Sequence, residues 1–319
     1  MKKLKISSLI QLCIPLFLLI AFTLIIVFPQ YVPFLQVHVR SYAGIGTESF
    51  AIPSPNRIGK AIKFNLKKVP AGVCPSGCVD IPDGTVVKEP FMIAETEVTV
   101  ELWDRVVSAA GQKGYSFSRV KMPLENKLCP VEVVSWRDAI VWCNALSELL
   151  SLEPVYYSDE AMQTPIRSSA DLVAIDDEVF VLPTSRGFRL PGSMEWEFAA
   201  RYIDGATWTP GGHPSGSPYP YYYGSYATGY AVYMSDFSRR VKSKGSNMLG
   251  VYDMSGNVWE WCFDRFSDDK ANPDAWTKRV TRGGGWSGNA YRLQIGGKFG
   301  TLPDAVERGQ GFRIARSSW

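Results

Sequence analysis

The sequence predicts a loop-rich α+β domain that follows one apolar N-terminal segment. Three observations point there. The 319-residue chain is 46% hydrophobic and 13% aromatic, enough for a packed core. Its 28 glycines, 21 prolines and 10 tryptophans favour short elements joined by turns over a helical bundle. Strand-like alternation and helical periodicity both occur, without an internal repeat or a second globular unit.

Residues 1–8 carry Lys2, Lys3 and Lys5, and residues 9–28 contain no charge. At a helical rise of ~1.5 Å per residue, such a run crosses a hydrocarbon layer of ~30 Å. A transmembrane anchor and a cleaved signal peptide both fit, and the long apolar run into Phe28-Pro29-Gln30-Tyr31 favours the anchor. Either way the lysines stay inside, so the rest is expected to be extracytoplasmic, periplasmic or on the cell surface. Residues 29–63 lack periodicity, are punctuated by Pro53 and Pro55, and read as a linker. The folded domain is therefore expected over residues 64–319.

Within it, AIKFNLKKVPAGV alternates like a strand and turns at Pro70-Ala71-Gly72. FMIAETEVTVELWDRVVSAAG reads as a strand running into a helix, with Thr99 as cap and Leu102, Trp103, Val106 and Val107 as its apolar face. VSWRDAIVWCNALSELL is the clearest amphipathic helix. Ser135 caps it, Asp138 stands where a carboxylate reaches back to the cap, and Cys143 lies on its buried stripe. Residues 153–187 read as short hairpins, and SMEWEFAARY as a second, shorter helix capped by Ser193. GGHPSGSPYPYYYGSYATGY reads as long surface coil, a kind of segment that is usually functional or held by a ligand.

Composition and spacing exclude several function classes. Three of the 34 basic residues lie in the N-terminal segment, and the other 31 match the 31 acidic ones, so there is no basic footprint for nucleic acid. Two histidines in the chain leave no serine with an assignable catalytic base, and make a structural zinc improbable. Glu195 and Glu197 lie on different helix faces and form no catalytic pair. Of the six cysteines, Cys13 lies in the apolar run, and Cys74 and Cys78 are spaced to close a small loop in an oxidising compartment. The glycines of RGGGWSGNAYRL (282–293) precede no nucleotide-binding helix, which argues against a phosphate cradle.

Five stretches fall in a fixed order: PVEVVSWRDAIVWCNAL, GFRLPGSMEWEFAARY, GVYDMSGNVWEWCFDR, RVTRGGGW and GQGFRIAR. Together they resemble the formylglycine-generating enzyme, or sulfatase-modifying-factor, family over nearly the whole exported part. The resemblance implies a loop-rich variant of the C-type lectin fold with two helices and small twisted sheets. It also implies an oxidase that converts a sulfatase cysteine to formylglycine with a copper ion held by two cysteines. Here Gly288 and Leu293 stand at those two positions. Glycine has no side chain and leucine is apolar, so neither replaces a thiolate for Cu(I), and no copper is expected. The family disulfide partner of Cys143 is Ile314 here, and a second bridge would need a cysteine at Ala200, which leaves Cys143 a core thiol.

One family calcium site maps onto the Asp253 and Glu260 side chains and the Gly256 and Val258 carbonyls. Hard oxygens on a tight turn suit Ca²⁺; in the alternative reading both carboxylates only cap the turn and pair with arginines. What remains is a binding surface on the segment after the glycines, drawn from Trp286, Ser287, Asn289, Tyr291, Arg292, Gln294, Lys298, Phe299 and Asp304. Some bacterial proteins of this fold diversify this segment through a retroelement, and Trp286 to Arg308 lies where that variation falls. The expectation is a membrane-anchored binding domain without oxidase activity, whose ligand is an extracytoplasmic protein, peptide or glycan. A formylglycine-generating oxidase with an altered site is the opposing reading.

Overall fold

The computed structural model describes residues 46–54, 60–78, 83–118, 126–223, 227–267 and 277–318. The segment read as a membrane anchor, 9–28, lies outside them. Among the described residues no helix is long and apolar enough to cross a membrane. The described residues form an α+β fold with four α-helices and small sheets.

The first sheet is antiparallel throughout, in the order β1 (Thr47–Ile52), β2 (Ile62–Val69), β5 (Phe91–Ala94), β12 (Ala315–Ser317). The last strand, β12, thus pairs with β5 and closes the sheet begun by β1 and β2. β1 falls inside the stretch read as linker, which corrects the boundary: the compact unit runs from Ile45, not from residue 64. Its physical basis is pairing with β2 from Thr47↔Lys67 to Ile52↔Ile62, so one edge of a largely exposed strand is satisfied by a partner. Two-stranded sheets form from β3 (Gly72–Val73) with β4 (Val86–Val87), and from β6 (Tyr156–Tyr157) with β7 (Phe180–Val181).

Helix α1 (Val100–Ala110) begins where Thr99 predicts: its hydroxyl accepts from Leu102 N. Helix α2 (Trp136–Leu149) is capped by Ser135, whose hydroxyl accepts from Asp138 N. Asp138 does not reach back to the cap. Its Oδ1 instead accepts from Ser118 N and Ser169 Oγ, tying α2 to neighbouring segments. The stretch read only as hairpins also holds a six-residue helix, α3 (Ser169–Ala174), closed by a capping box between Ser168 and Asp171. Helix α4 (Ser193–Arg201) starts one residue earlier than predicted. Gly192 is the cap residue and Glu195 accepts from its N–H, which leaves the Ser193 hydroxyl for another role.

The core is aromatic. Trp103 and Trp142 stack at 6.0 Å, and Phe312 meets both edge-on. Buried indoles find acceptors across the fold: Trp136 Nε1 donates to Cys262 O and Trp261 Nε1 to Val134 O, at 3.0 and 2.7 Å. Cys143 is fully buried, and burial raises its thiol. Cys74 and Cys78 are also thiols, and burial pushes Cys78 up to about 12.

Candidate functional site

The second sheet carries the site. Its order is β10 (Lys298–Thr301), β9 (Lys278–Arg282), β8 (Trp259–Phe266), β11 (Gln310–Gly311), with β11 parallel to β8 and the other pairs antiparallel. Between β9 and β11 runs the glycine-opened segment. Gly283 and Gly284 have φ of 91° and 82°. A Cβ on Gly284 would stand 2.5 Å from the Arg292 carbonyl oxygen, so the chain folds back on itself only because that position is glycine.

Both ends of this segment are fastened to one carboxylate. Trp286 Nε1 and Gly309 N donate to Glu132 Oε2 at 3.2 and 2.6 Å, and Ser238 Oγ donates to Glu132 Oε1. Trp259 N also donates to Gly309 O at 2.7 Å. Sequence reasoning missed Glu132. The available signal was an acidic residue in the otherwise apolar run before α2.

The inner edge is held by Arg282, which is fully buried. Its Nε and Nη2 donate to Ser193 Oγ, Nη2 also to Glu197 Oε2 at 3.0 Å, and Nη1 to the carbonyls of Ile295 and Gly297. Leu293 and Ile295 are buried beneath, and Ser255 Oγ donates to Leu293 O.

On this frame the nine predicted ligand residues separate. Ser287, Asn289, Tyr291 and Asp304 are exposed, Tyr291 by 57%. Trp286 is buried, its N–H spent on Glu132, and it belongs to the scaffold instead of the surface. Arg292 lies over the Phe299 ring at 4.1 Å, and Phe299 meets Trp259 edge-on at 5.0 Å. Gln294 Nε2 donates to Tyr291 O, bracing the short 3₁₀ turn Ala290–Leu293. Lys298 is half-buried above Phe266, and burial lowers its ammonium. Asp304 sits on the turn whose Pro303 carbonyl accepts from Arg137 N. Among the described residues no hydrogen bond or ring contact joins it to Tyr291.

A neighbouring group was not named from sequence. Tyr291 meets Tyr221 edge-on at 5.6 Å, and Tyr221 continues to Tyr222 and Tyr223. Tyr219 meets Tyr223 at 6.1 Å. Tyr222 is 66% exposed, and Tyr219 and Tyr223 are exposed as well. The coil that supplies these rings is fixed from below by Ser215, whose hydroxyl donates to Ala200 O and whose N–H reaches Ser255 Oγ. Five tyrosines therefore converge on one surface from two distant parts of the chain.

The positions at which the family resemblance implies copper ligands are Gly288 and Leu293, the latter fully buried. They carry no soft ligand, so the residues present do not fit copper.

The two carboxylates of the predicted calcium set have protein partners. Glu260 is fully buried and accepts Arg313 Nε and Nη2, both at 2.6 Å, and Trp196 Nε1 at 2.7 Å. Asp253 Oδ2 accepts from Lys242 N at 2.8 Å, and burial raises this carboxyl to about 6. Burial, with Asp253 and Glu260 nearby, also raises Glu97 well above the carboxylate range. The Glu260 carboxylate is thus taken up by the Arg313 guanidinium and the Trp196 indole, the arginine-paired alternative for this side chain.

Comparison with known proteins agrees with this reading of the frame. The sulfatase-modifying factor enzyme 1-like domain matches residues 65–318. Chaperone protein LppX of Paenibacillus barcinonensis is 32% identical over 276 residues, which cover 80% of this chain and 90% of that protein. Formylglycine-generating enzyme of Streptomyces coelicolor is 31% identical over 151 residues, 41% of this chain and 48% of that enzyme. The solved structure of Treponema denticola variable protein 1 superposes with a TM-score of 0.64 at 28% identity, covering 85% of this chain and 99% of that one. The chain belongs to the sulfatase-modifying factor family, as a member that lacks the cysteine pair of its oxidases.

Proposed function

We propose that this protein is a membrane-anchored, extracytoplasmic recognition domain without oxidase activity. Its ligand, a protein, peptide or glycan, is bound by the exposed side of the segment after Trp286 together with the adjoining tyrosines. One observation carries the reading. The segment is clipped at both ends to Glu132 and from within by Arg282, yet it presents Ser287, Asn289 and Tyr291 outward beside Tyr219, Tyr222 and Tyr223. Large, stiff aromatic side chains on a fixed backbone bind with little loss of conformational entropy. Scattered exposed rings are ordinary; a contiguous set is not.

The test is a glycan and peptide array probed with the full chain in detergent, with and without calcium. A bound spot is expected to weaken at least tenfold for the double variant Tyr222→Ala/Tyr291→Ala, since truncating a central aromatic anchor costs about 2 kcal/mol or more. Both side chains are exposed, so the fold should survive. Unchanged binding by the variant would place the ligand elsewhere. A near-identical template copy of 286–308 beside the gene, differing mainly at adenines, would identify a diversified binder; its absence leaves a fixed specificity.

A second reading draws on the LppX match, which runs along most of both proteins. On it, the ligand is the exposed apolar surface of a folding protein client. Suppression of aggregation of a co-exported enzyme, lost in the same tyrosine variant, separates this from glycan recognition.

A further inference from the structure

From Gly205 to Ser235 the chain carries no aspartate, glutamate, lysine or arginine, although 20% of all its residues are charged. The stretch from Gly283 to Tyr291 carries none either. These two stretches supply the tyrosine surface, and the arginines that flank the second are engaged elsewhere. Arg282 is fully buried on Glu197, and Arg292 lies over the Phe299 ring. Tyr222, Tyr223 and Tyr291 are exposed, and edge-on or tilted contacts among themselves and with Tyr221 orient their rings. Asn289 stands at the cap position of the turn Ala290–Leu293, where an asparagine side chain normally accepts from a backbone N–H. It makes no such bond here. Among the described residues no hydrogen bond occupies its amide, the Ser287 hydroxyl or the hydroxyls of those three tyrosines.

The surface therefore offers aromatic rings, hydroxyls and an amide, and no charge. That combination discriminates between ligand classes. About 25% of the residues of an ordinary protein are charged, and each charge buried against this surface loses water without gaining a partner. A sulfated or uronic acid glycan meets the same penalty. An uncharged sugar does not. A pyranose ring presents C–H groups on its faces and hydroxyls around its edge. The face of a tyrosine ring is negatively polarised and attracts such C–H groups. A hydroxyl or an amide both donates and accepts, as the edge of the sugar requires. We propose, resting on the recognition function argued above, that the ligand is an uncharged glycan. It packs on Tyr222, Tyr223 and Tyr291 and is hydrogen-bonded by Asn289 and Ser287, without a metal ion. With no charge pair across the contact, added salt has nothing to screen.

The full chain, in a polyoxyethylene detergent that has no sugar headgroup, is applied to an array of neutral glycans, sulfated and uronic acid glycans, and peptides. Binding confined to neutral glycans is expected. It should change less than about twofold between roughly 0.05 and 0.5 M salt, and no more when a chelator is added. Tyr222→Phe/Tyr291→Phe keeps the rings and stays within about threefold, whereas Tyr222→Ala/Tyr291→Ala loses at least about tenfold. Binding to the charged glycans, loss of binding with salt or chelator, unchanged binding by the alanine variant, or an equal loss in the phenylalanine variant overturns the proposal. Peptide spots alone, weakened by the alanine variant, overturn the glycan and leave the recognition surface standing. No spot of any kind sinks both.

Discussion

Arg282→Met is expected to lower stability by about 3–5 kcal/mol, the range for breaking one side of a buried ion pair. For a domain of this size that is a fall in melting temperature of roughly 6–20 °C. The guanidinium is fully buried, and its donors reach Ser193 Oγ, Glu197 Oε2 and the carbonyls of Ile295 and Gly297. Methionine fills similar volume but supplies no N–H, leaving the buried Glu197 carboxylate with less compensation and two carbonyls short of a donor. Arg201 remains near Glu197 at 3.3 Å and limits the loss. The double variant Arg282→Met/Glu197→Gln should therefore cost less than the two single changes together, by about 1–3 kcal/mol. Thermal melts of the four proteins read this coupling. A loss under 1 kcal/mol for Arg282→Met would mean that the arginine does not hold the segment in place.

Gly256→Ala is the second large effect, and it acts through the backbone. Gly256 has φ of 77°, where an alanine is strained. Its Cβ would also press on Val232, within 2.9 Å of the carbonyl carbon and the nitrogen and closer still to the oxygen. That oxygen accepts from Asn257 N, and Gly256 N donates to Gly283 O, so neither neighbour moves without breaking the turn that leads into β8. Strain and overpacking each cost about 1–3 kcal/mol, so a combined loss of roughly 2–6 kcal/mol is expected. Gly84→Ala is the control, because φ there is 82° but nothing lies within 4 Å of the added Cβ. It should cost about 1–2 kcal/mol, the left-handed term alone. Equal losses at the two positions would refute the close-approach argument.

The sequence was most readable where chemistry is local. Thr99 and Ser135 cap their helices as predicted, because a hydroxyl before an apolar periodic run has few other uses. The glycines of RGGGW were legible as turn residues, and Gly283 and Gly284 adopt positive φ. Short elements were harder. α3 has six residues, too few to show a period, and its only local sign was the Ser168–Asp171 box. β1 looked like linker because most of its residues stay exposed, and only its distant partner β2 makes it a strand.

At the site, the missing thiols were visible at Gly288 and Leu293 from the motif frame alone. Burial was not: Trp286 reads as a ligand residue, yet a carboxylate more than 150 positions away claims its N–H. The tyrosine group was legible only as a biased coil, since the contact of Tyr221 with Tyr291 joins segments about 70 positions apart. The opposing readings of the Asp253–Glu260 pair depended on where Arg313 lies, which no spacing reveals.

The central claim is that the frame of an oxidase site here serves binding. Its most direct test incubates the purified full chain with copper, a reductant, oxygen and a peptide containing Cys-x-Pro-x-Arg, and follows the peptide by mass spectrometry. The account predicts an unchanged thiol and no stoichiometric Cu(I) uptake at the segment, because Gly288 and Leu293 offer no sulfur. Conversion of the peptide cysteine to an aldehyde, dependent on this protein, would contradict it.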